Sequence, residues 1–268
     1  MLLASSGPVL GFLVSGYAAA FWTVLVFGGL VWVMITRARS GQKVPAIRKL
    51  AGLDAIDEVV GRATEMGRAV VVVPGLGGVG DTQTISQYYV LGHVAKTCAK
   101  YDTKILSVNV DPVVYAVNYE IVRQAYLEAG RPDAFSEESV QFLTSWQFSF
   151  AQTVMAIYER EQPAATVMWG SYYAETLLFI EKAAQMGMVQ IGATANTFNL
   201  PFFVACCDYY LIAEEMYAAS AYLSKEPILV GTIVGEDWVK ILIFAFIIVG
   251  TVLSQVQSKN WLAGMLKK

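Results

Sequence analysis

The chain has 268 residues, of which 56% are hydrophobic and 15% charged, with a mean hydropathy of +0.49. This balance excludes an ordinary water-soluble globule as the whole molecule. A net charge of −3, with no Lys/Arg run interleaved with aromatics, excludes a polyanion such as nucleic acid as the expected partner.

From Met1 to Thr36 there is no charged side chain, and the apolar stretch from Val9 to Ile35 exceeds the roughly 20 residues that a helix needs to cross hydrocarbon. We expect a transmembrane helix within residues 1–36. Arg37, Arg39, Lys43, Arg48 and Lys49 follow with no acid before Asp54, whereas a cleavable signal peptide carries its positive charge ahead of the apolar run. The positive-inside rule then places the N-terminus outside and the following residues in the cytoplasm. Gly11 and Ser15, like Gly16 and Ala20, stand four apart and offer a face that another helix can approach closely.

Residues 45–237 read as one cytoplasmic domain. "LDAIDEVVGRATEMG" has the pattern of an amphipathic helix in which Asp54 caps, Asp57 and Glu58 suit the positive end, Glu58 pairs with Arg62, and Gly67 stops the helix. Short β-rich runs then alternate with helical patterns. Strands are expected at Val70–Val73, Ile105–Val110, Thr166–Trp169, Val189–Ala193, Val204–Ile212 and Ile228–Val234. Most are apolar on both faces, as strands covered by helices on two sides must be. The fold class is therefore α/β: a Rossmann-like, mainly parallel sheet with helices on both faces.

Between the first strand and its helix lies "PGLGGVGD", in which Gly75, Gly77 and Gly80 have the G-x-G-x-x-G spacing of dinucleotide-binding loops. Two features depart from a phosphate site. Asp81 follows Gly80, where it can cap the helix and would repel an anion, and Asp111 lies farther on than the about 20 residues usual for a ribose-binding acid. A ligand at the carboxyl ends of the strands would meet Gly77, Gly78, Asp81, Thr82 and Gln83, then Asn109 and Asp111, Ser171 and Tyr172, and Thr194, Asn196, Thr197 and Asn199. That rim has no Lys or Arg for a phosphate and no His or Cys beside a base, so the loop is expected to turn a corner. No cofactor and no catalytic residue is expected. A bound nucleotide or dinucleotide is the alternative.

Residues 139–158, "SVQFLTSWQFSFAQTVMAIY", carry no charge. Phe142, Trp146, Phe150, Val154 and Tyr158 recur every fourth residue, an apolar stripe if the segment is one helix. Such a stripe can pack on the domain's own sheet. Phe148 and Met155 widen it beyond one face, so an interface comprising Phe142, Trp146, Phe148, Phe150 and Met155 is also expected. Glu214 and Glu215 diverge on a helix and read as helix-start acids rather than a metal pair.

The run "ILIFAFIIVGTVLSQV", Ile241–Val256, is flanked by Trp238 and Lys240 on one side and Lys259 and Trp261 on the other, like interfacial anchors. We expect a second transmembrane helix over 238–257, with 258–268 as a short interfacial tail and both termini outside; a buried core helix is the alternative. Cys98, Cys206 and Cys207 form no metal or redox spacing and read as reduced thiols. His93 reads as a helical residue without a ligand role.

The segments "AIDEVVGRATEMGRAVVVVPGLG" and "DYYLIAEEMYAASAYLSKEP" resemble a prokaryotic family of membrane-anchored proteins of unknown function. The resemblance implies a membrane-tethered α/β domain and no catalytic residue. Together these readings lead us to expect a non-catalytic assembling or scaffolding subunit of a membrane complex, with the lipid bilayer, a second copy of itself and other membrane subunits as partners.

Overall fold

The computed structural model describes residues 18–41 and 51–265. It divides into two units, residues 48–224 and a unit made of residues 1–47 and 225–268.

The first unit is the α/β domain. Its six strands are β1 (Val70–Pro74), β2 (Ile105–Asn109), β3 (Val140–Phe142), β4 (Ala165–Trp169), β5 (Val189–Thr194) and β6 (Tyr209–Ile212). They form one sheet in the order β3-β2-β1-β4-β5-β6, and every pair is parallel. This is the doubly wound, Rossmann-like order, with the reversal of direction between β1 and β4. Val70 and Val72 enter the core beneath α2 (Ala51–Met66), α3 (Thr82–Tyr101), α4 (Pro112–Glu128) and α8 (Glu214–Ser224). Val71 and Val73 enter the opposite core, beneath α5 (Gln147–Glu161), α6 (Thr176–Gln185) and α7 (Leu200–Cys206). Period-2 alternation between two buried faces is why β1 is an unbroken valine run. Each of these side chains leaves water completely, a gain of about 1.5 kcal/mol or more apiece.

Four sequence-based expectations need correction. Residues 139–158 are not one helix: Val140–Phe142 pairs with β2 as an edge strand, and α5 starts only at Gln147. The four-residue spacing of Phe142 and Trp146 with the later aromatics joined a strand to a helix. Val204–Ile212 is likewise split, because Pro201 in the first turn favours a helix over Leu200–Cys206 before β6 begins. Ile228–Val234 is helical despite its β-branched residues, since it opens α9 (Pro227–Met265). Asp54 lies inside α2, which is already helical at Ala51. Gly67, at φ +62°, does end that helix, with Arg68 N–H bonding back to the Ala63 carbonyl.

The second unit pairs α1 (Ala18–Arg39) with α9. A Cβ added at Gly231 would stand 2.7 Å from the Cα of Ile35, and one at Gly235 would stand 3.0 Å from the Cα of Val31. Rising numbers on α9 thus meet falling numbers on α1. The helices are antiparallel, and the two glycines, one turn apart, let them touch at backbone distance. Gly11, Ser15 and Gly16, expected to mark a packing face, lie outside the described residues, as do Lys43, Arg48 and Lys49. Among the described residues, Ala20–Arg39 is long and apolar enough to cross a membrane by length and composition.

The cysteines are unpaired: Cys98 and Cys207 are buried and Cys206 is exposed. Burial pushes the Cys98 and Cys207 thiols up to about 12, holding both protonated at neutral pH. Alkylation of the native protein at pH 8 should therefore modify Cys206 first, with the other two reacting only after unfolding; mass mapping of the labelled peptides checks this.

Candidate functional site

The carboxyl ends of β1 and β4 meet where an open parallel sheet would leave a ligand crevice. Here the two loops touch. A Cβ on Gly75 would lie 2.3 Å from Ser171 N and 2.4 Å from Ser171 O, while one on Gly170 would lie 2.6 Å from Gly75 N. Gly170 also sits at φ +147°, a conformation that side-chain-bearing residues rarely adopt. The contact is sealed by a hydrogen bond from Leu76 N–H to the Ser171 carbonyl at 2.7 Å. That amide, which a phosphate would need, is already used.

The glycine spacing thus has a different cause from a pyrophosphate cradle. Gly75 is required by the neighbouring backbone. Gly77 is required by side chains, because a Cβ there would stand 2.2 Å from Asp81 Oδ2. Gly78 and Gly80 face open space, so the close helix-to-strand contact that the third glycine of a dinucleotide loop serves is missing. None of the four has a positive φ.

Asp81 occupies the cap position of α3, but its side chain makes no cap bond to the helix. This corrects the expectation that it accepts free helix N–H groups. Its Oδ2 accepts instead from Ser171 Oγ at 2.7 Å and Thr84 Oγ1 at 3.3 Å. Gln83, the next residue but one, binds the three loops together. Its Nε2 donates to Ser171 Oγ (2.7 Å) and Asn196 Oδ1 (3.1 Å), and its Oε1 accepts from Ala195 N (2.7 Å) and Thr194 Oγ1 (3.3 Å). Asn196 in turn donates to the Tyr172 carbonyl at 2.7 Å. Thr82 turns away to the hydroxyl of Tyr217 on α8 at 3.2 Å. Of the rim that the sequence assembles, Asp81, Gln83, Ser171, Thr194 and Asn196 do converge and are spent on one another, whereas Thr82, Asn109 and Asp111 bond elsewhere and Asn199 Nδ2 is buried without a partner among the described residues.

Asp111, the candidate ribose ligand, caps α4: its Oδ1 accepts from Val113 N at 2.8 Å and Val114 N at 2.9 Å, with Pro112 in the first turn. Asn109, fully buried at the end of β2, donates to the Gln141 carbonyl (3.2 Å) and accepts from Asn118 (2.6 Å), fastening β3 and α4 to the sheet.

Two contacts escaped the sequence reading. Glu175 is fully buried and accepts from Tyr173 N at 2.9 Å and from the Gln147 side chain, tying the start of α5 to the β4 loop. Asp57 of α2 reaches His93 at 3.0 Å, a carboxylate that no local spacing reveals. Among the described residues no cluster of three His, Cys, Asp or Glu could hold a metal ion. Glu214 and Glu215 stand in the first turn of α8, and Glu215 accepts from Ile212 N at 3.2 Å.

The expected interface residues separate. Phe150 is buried in the core with Val154 and Tyr158, and Met155 packs partly against the same cluster. Phe150 is therefore removed from the interface set, because its position on α5 faces the sheet. Trp146 and Phe148 are 78% and 57% exposed, and Phe142 is exposed on the edge strand. Tyr173 after β4 (58%) and Phe198 after β5 (88%) are exposed as well.

Gly75→Ala should force the β1 and β4 loops apart and destabilise the domain by about 1–3 kcal/mol, the usual range for overpacking. Gln83→Leu should cost a similar amount by orphaning buried partners, roughly 1–3 kcal/mol. Chemical denaturation of each variant measures both, and a neutral result for Gly75→Ala would show that the loops part freely.

No curated protein and no solved structure matches the chain. A family model described as "Domain of unknown function (DUF6754)" matches residues 12–265, most of both units. The chain belongs to this DUF6754 family, as the resemblance to a family of unknown function implied.

Proposed function

We propose that this chain is a membrane-anchored, non-catalytic assembly subunit that self-associates through its α/β domain. The observation that carries the reading is the switch-point crevice filled by Gln83, Asp81, Ser171 and Asn196, beside an uncharged aromatic surface that is left uncovered. Trp146, Phe148, Tyr173 and Phe198 all follow carboxyl ends of strands, within segments 139–158, 163–174 and 186–207 that contain no charged residue. Two copies can bring such surfaces together without desolvating an ion, and Trp and Tyr contribute disproportionately to contacts of this kind. Tethering in one membrane raises the effective concentration, so modest contacts suffice.

Several observations support anchoring. The apolar window of α1 has none of its residues buried, and Phe244, Phe246, Ile247 and Ile248 of α9 are exposed, which suits lipid rather than water. Arg37 and Arg39 end α1, and the antiparallel α9 returns the chain to the side it came from. A cytoplasmic domain with both termini outside is the corresponding topology. Membrane anchoring in a prokaryotic cell, implied by the resemblance, and association with other membrane subunits belong to the same proposal.

The second reading, a nucleotide bound at the glycine loop, has one observation in its favour: no side chain caps the first N–H groups of α3. Against it stand the Asp81 carboxylate and the occupied Leu76 amide.

In mild detergent the unaltered protein should be an oligomer whose mass is that of two or more copies. Phe148→Glu or Trp146→Glu should dissociate it with the fold retained, whereas Phe150→Glu should unfold the domain. Light scattering and circular dichroism decide this, and a monomer at every concentration overturns the proposal. A rise in melting temperature with added nucleotides or dinucleotides would favour the second reading.

A further inference from the structure

The α1–α9 register locates the bilayer surface on the hairpin. Gly231 lies against Ile35 and Gly235 against Val31. One further turn brings Val239 and Lys240 beside Phe27 and Gly28, and these line one groove of about 580 Å³ with Val31, Trp32, Ile35 and Glu236. The charged turn Glu236, Asp237 and Lys240 thus stands beside the middle of Ala20–Arg39, the stretch of α1 apolar enough to span. Asp237 and Lys240 pair at 3.5 Å with both side chains well exposed. If that stretch of α1 were centred in hydrocarbon, it would carry this turn to the depth where ionised groups are least tolerated.

We propose that the groove around Glu236 and Lys240 lies in the headgroup layer of the bilayer, with the hydrocarbon boundary between Lys240 and Ile241 on α9 and near Val26 on α1. The inference rests on the membrane reading above. Beyond this boundary α9 presents Ile241, Phe244, Phe246, Ile247, Ile248 and Val249, all exposed and apolar, while α1 presents Val24, Trp22 and Leu25 at the same level. On the headgroup side two of the hairpin's exposed tryptophans, Trp32 and Trp238, occupy the depth that indole rings prefer. Lys240, its ammonium paired with Asp237, keeps that ion pair at the depth of the lipid phosphates while its stem stays against apolar neighbours. The mixed signs of Glu236, Asp237 and Lys240 fit a layer of zwitterionic headgroups, in which phosphate and ammonium alternate. The hydrocarbon side of α1 is accordingly its N-terminal end, from Ala18 to Val26.

The test is a depth measurement on the full chain in phosphatidylcholine vesicles, with the native cysteines replaced by alanine. A spin label is placed in turn at Val24, Val33, Asp237 and Phe244. Labels at Val24 and Phe244 should relax with oxygen and be shielded from a water-soluble nickel complex; labels at Val33 and Asp237 should be reached by nickel. Hydrocarbon depth at Val33 and Asp237 overturns the boundary while leaving the membrane reading intact. Nickel access at all four positions overturns the membrane reading itself, and the inference with it.

Discussion

The contact of Gly75 with Gly170 is the constraint on which the candidate site depends. Two neighbouring parallel strands whose crossovers leave in opposite directions ordinarily open a cleft at their carboxyl ends. In this domain the backbones after β1 and β4 instead approach until neither position has room for a Cβ, and Leu76 bonds across to Ser171. With the backbones that close, Ser171 falls within reach of both Asp81 and Gln83, and the remaining polar side chains follow. Burial makes each of those hydrogen bonds costly to lose, since an orphaned buried group forfeits its full hydration. The network is therefore a structural closure, and the same residue types that suggest a binding loop serve to lock it.

Closure of the crevice shifts attention to the surface around it. The loops after β3, β4 and β5 lack ionic groups over long stretches, yet they hold Trp146, Tyr173 and Phe198 out toward solvent. Glu175 is the exception in the region, and it is turned inward to organise the starts of α5 and α6. A rigid scaffold presenting uncharged aromatics suits the self-association proposed above, because such rings lose little entropy on contact. The hairpin of the second unit obeys a similar economy of space: Gly231 and Gly235 on α9 leave room for the backbone of α1 to approach.

Much of this was legible in the sequence. The α/β class, five of the six strand positions at least in part and the acids that open α8 follow from local pattern, because strand period and helix period leave direct traces in residue order. The uncharged segments and the exposure of Phe148 were legible too, since a helix apolar around more than one face must leave some of it uncovered. The edge strand β3 was hidden by coincidence, its Phe142 falling in step with the helix that follows. The β-branched start of α9 was hidden because tertiary context overrides propensity over such short runs.

What the sequence by itself determined, then, is where five of the six strands lie at least in part, which glycines cluster at the first loop, and that the chain is richer in apolar residues than an ordinary soluble domain. Only the tertiary structure decided what those glycines are for. Gly75 and Gly170 are far apart in sequence, and nothing in either neighbourhood states that a Cβ on one would strike the backbone of the other. The same holds for Asp81, whose position looks like a helix cap but whose carboxylate finds the Ser171 hydroxyl, and for Asp57 beside His93. These are contacts between loops and helices brought together by strand order, and strand order depends on how the whole sheet packs rather than on any local run of residues.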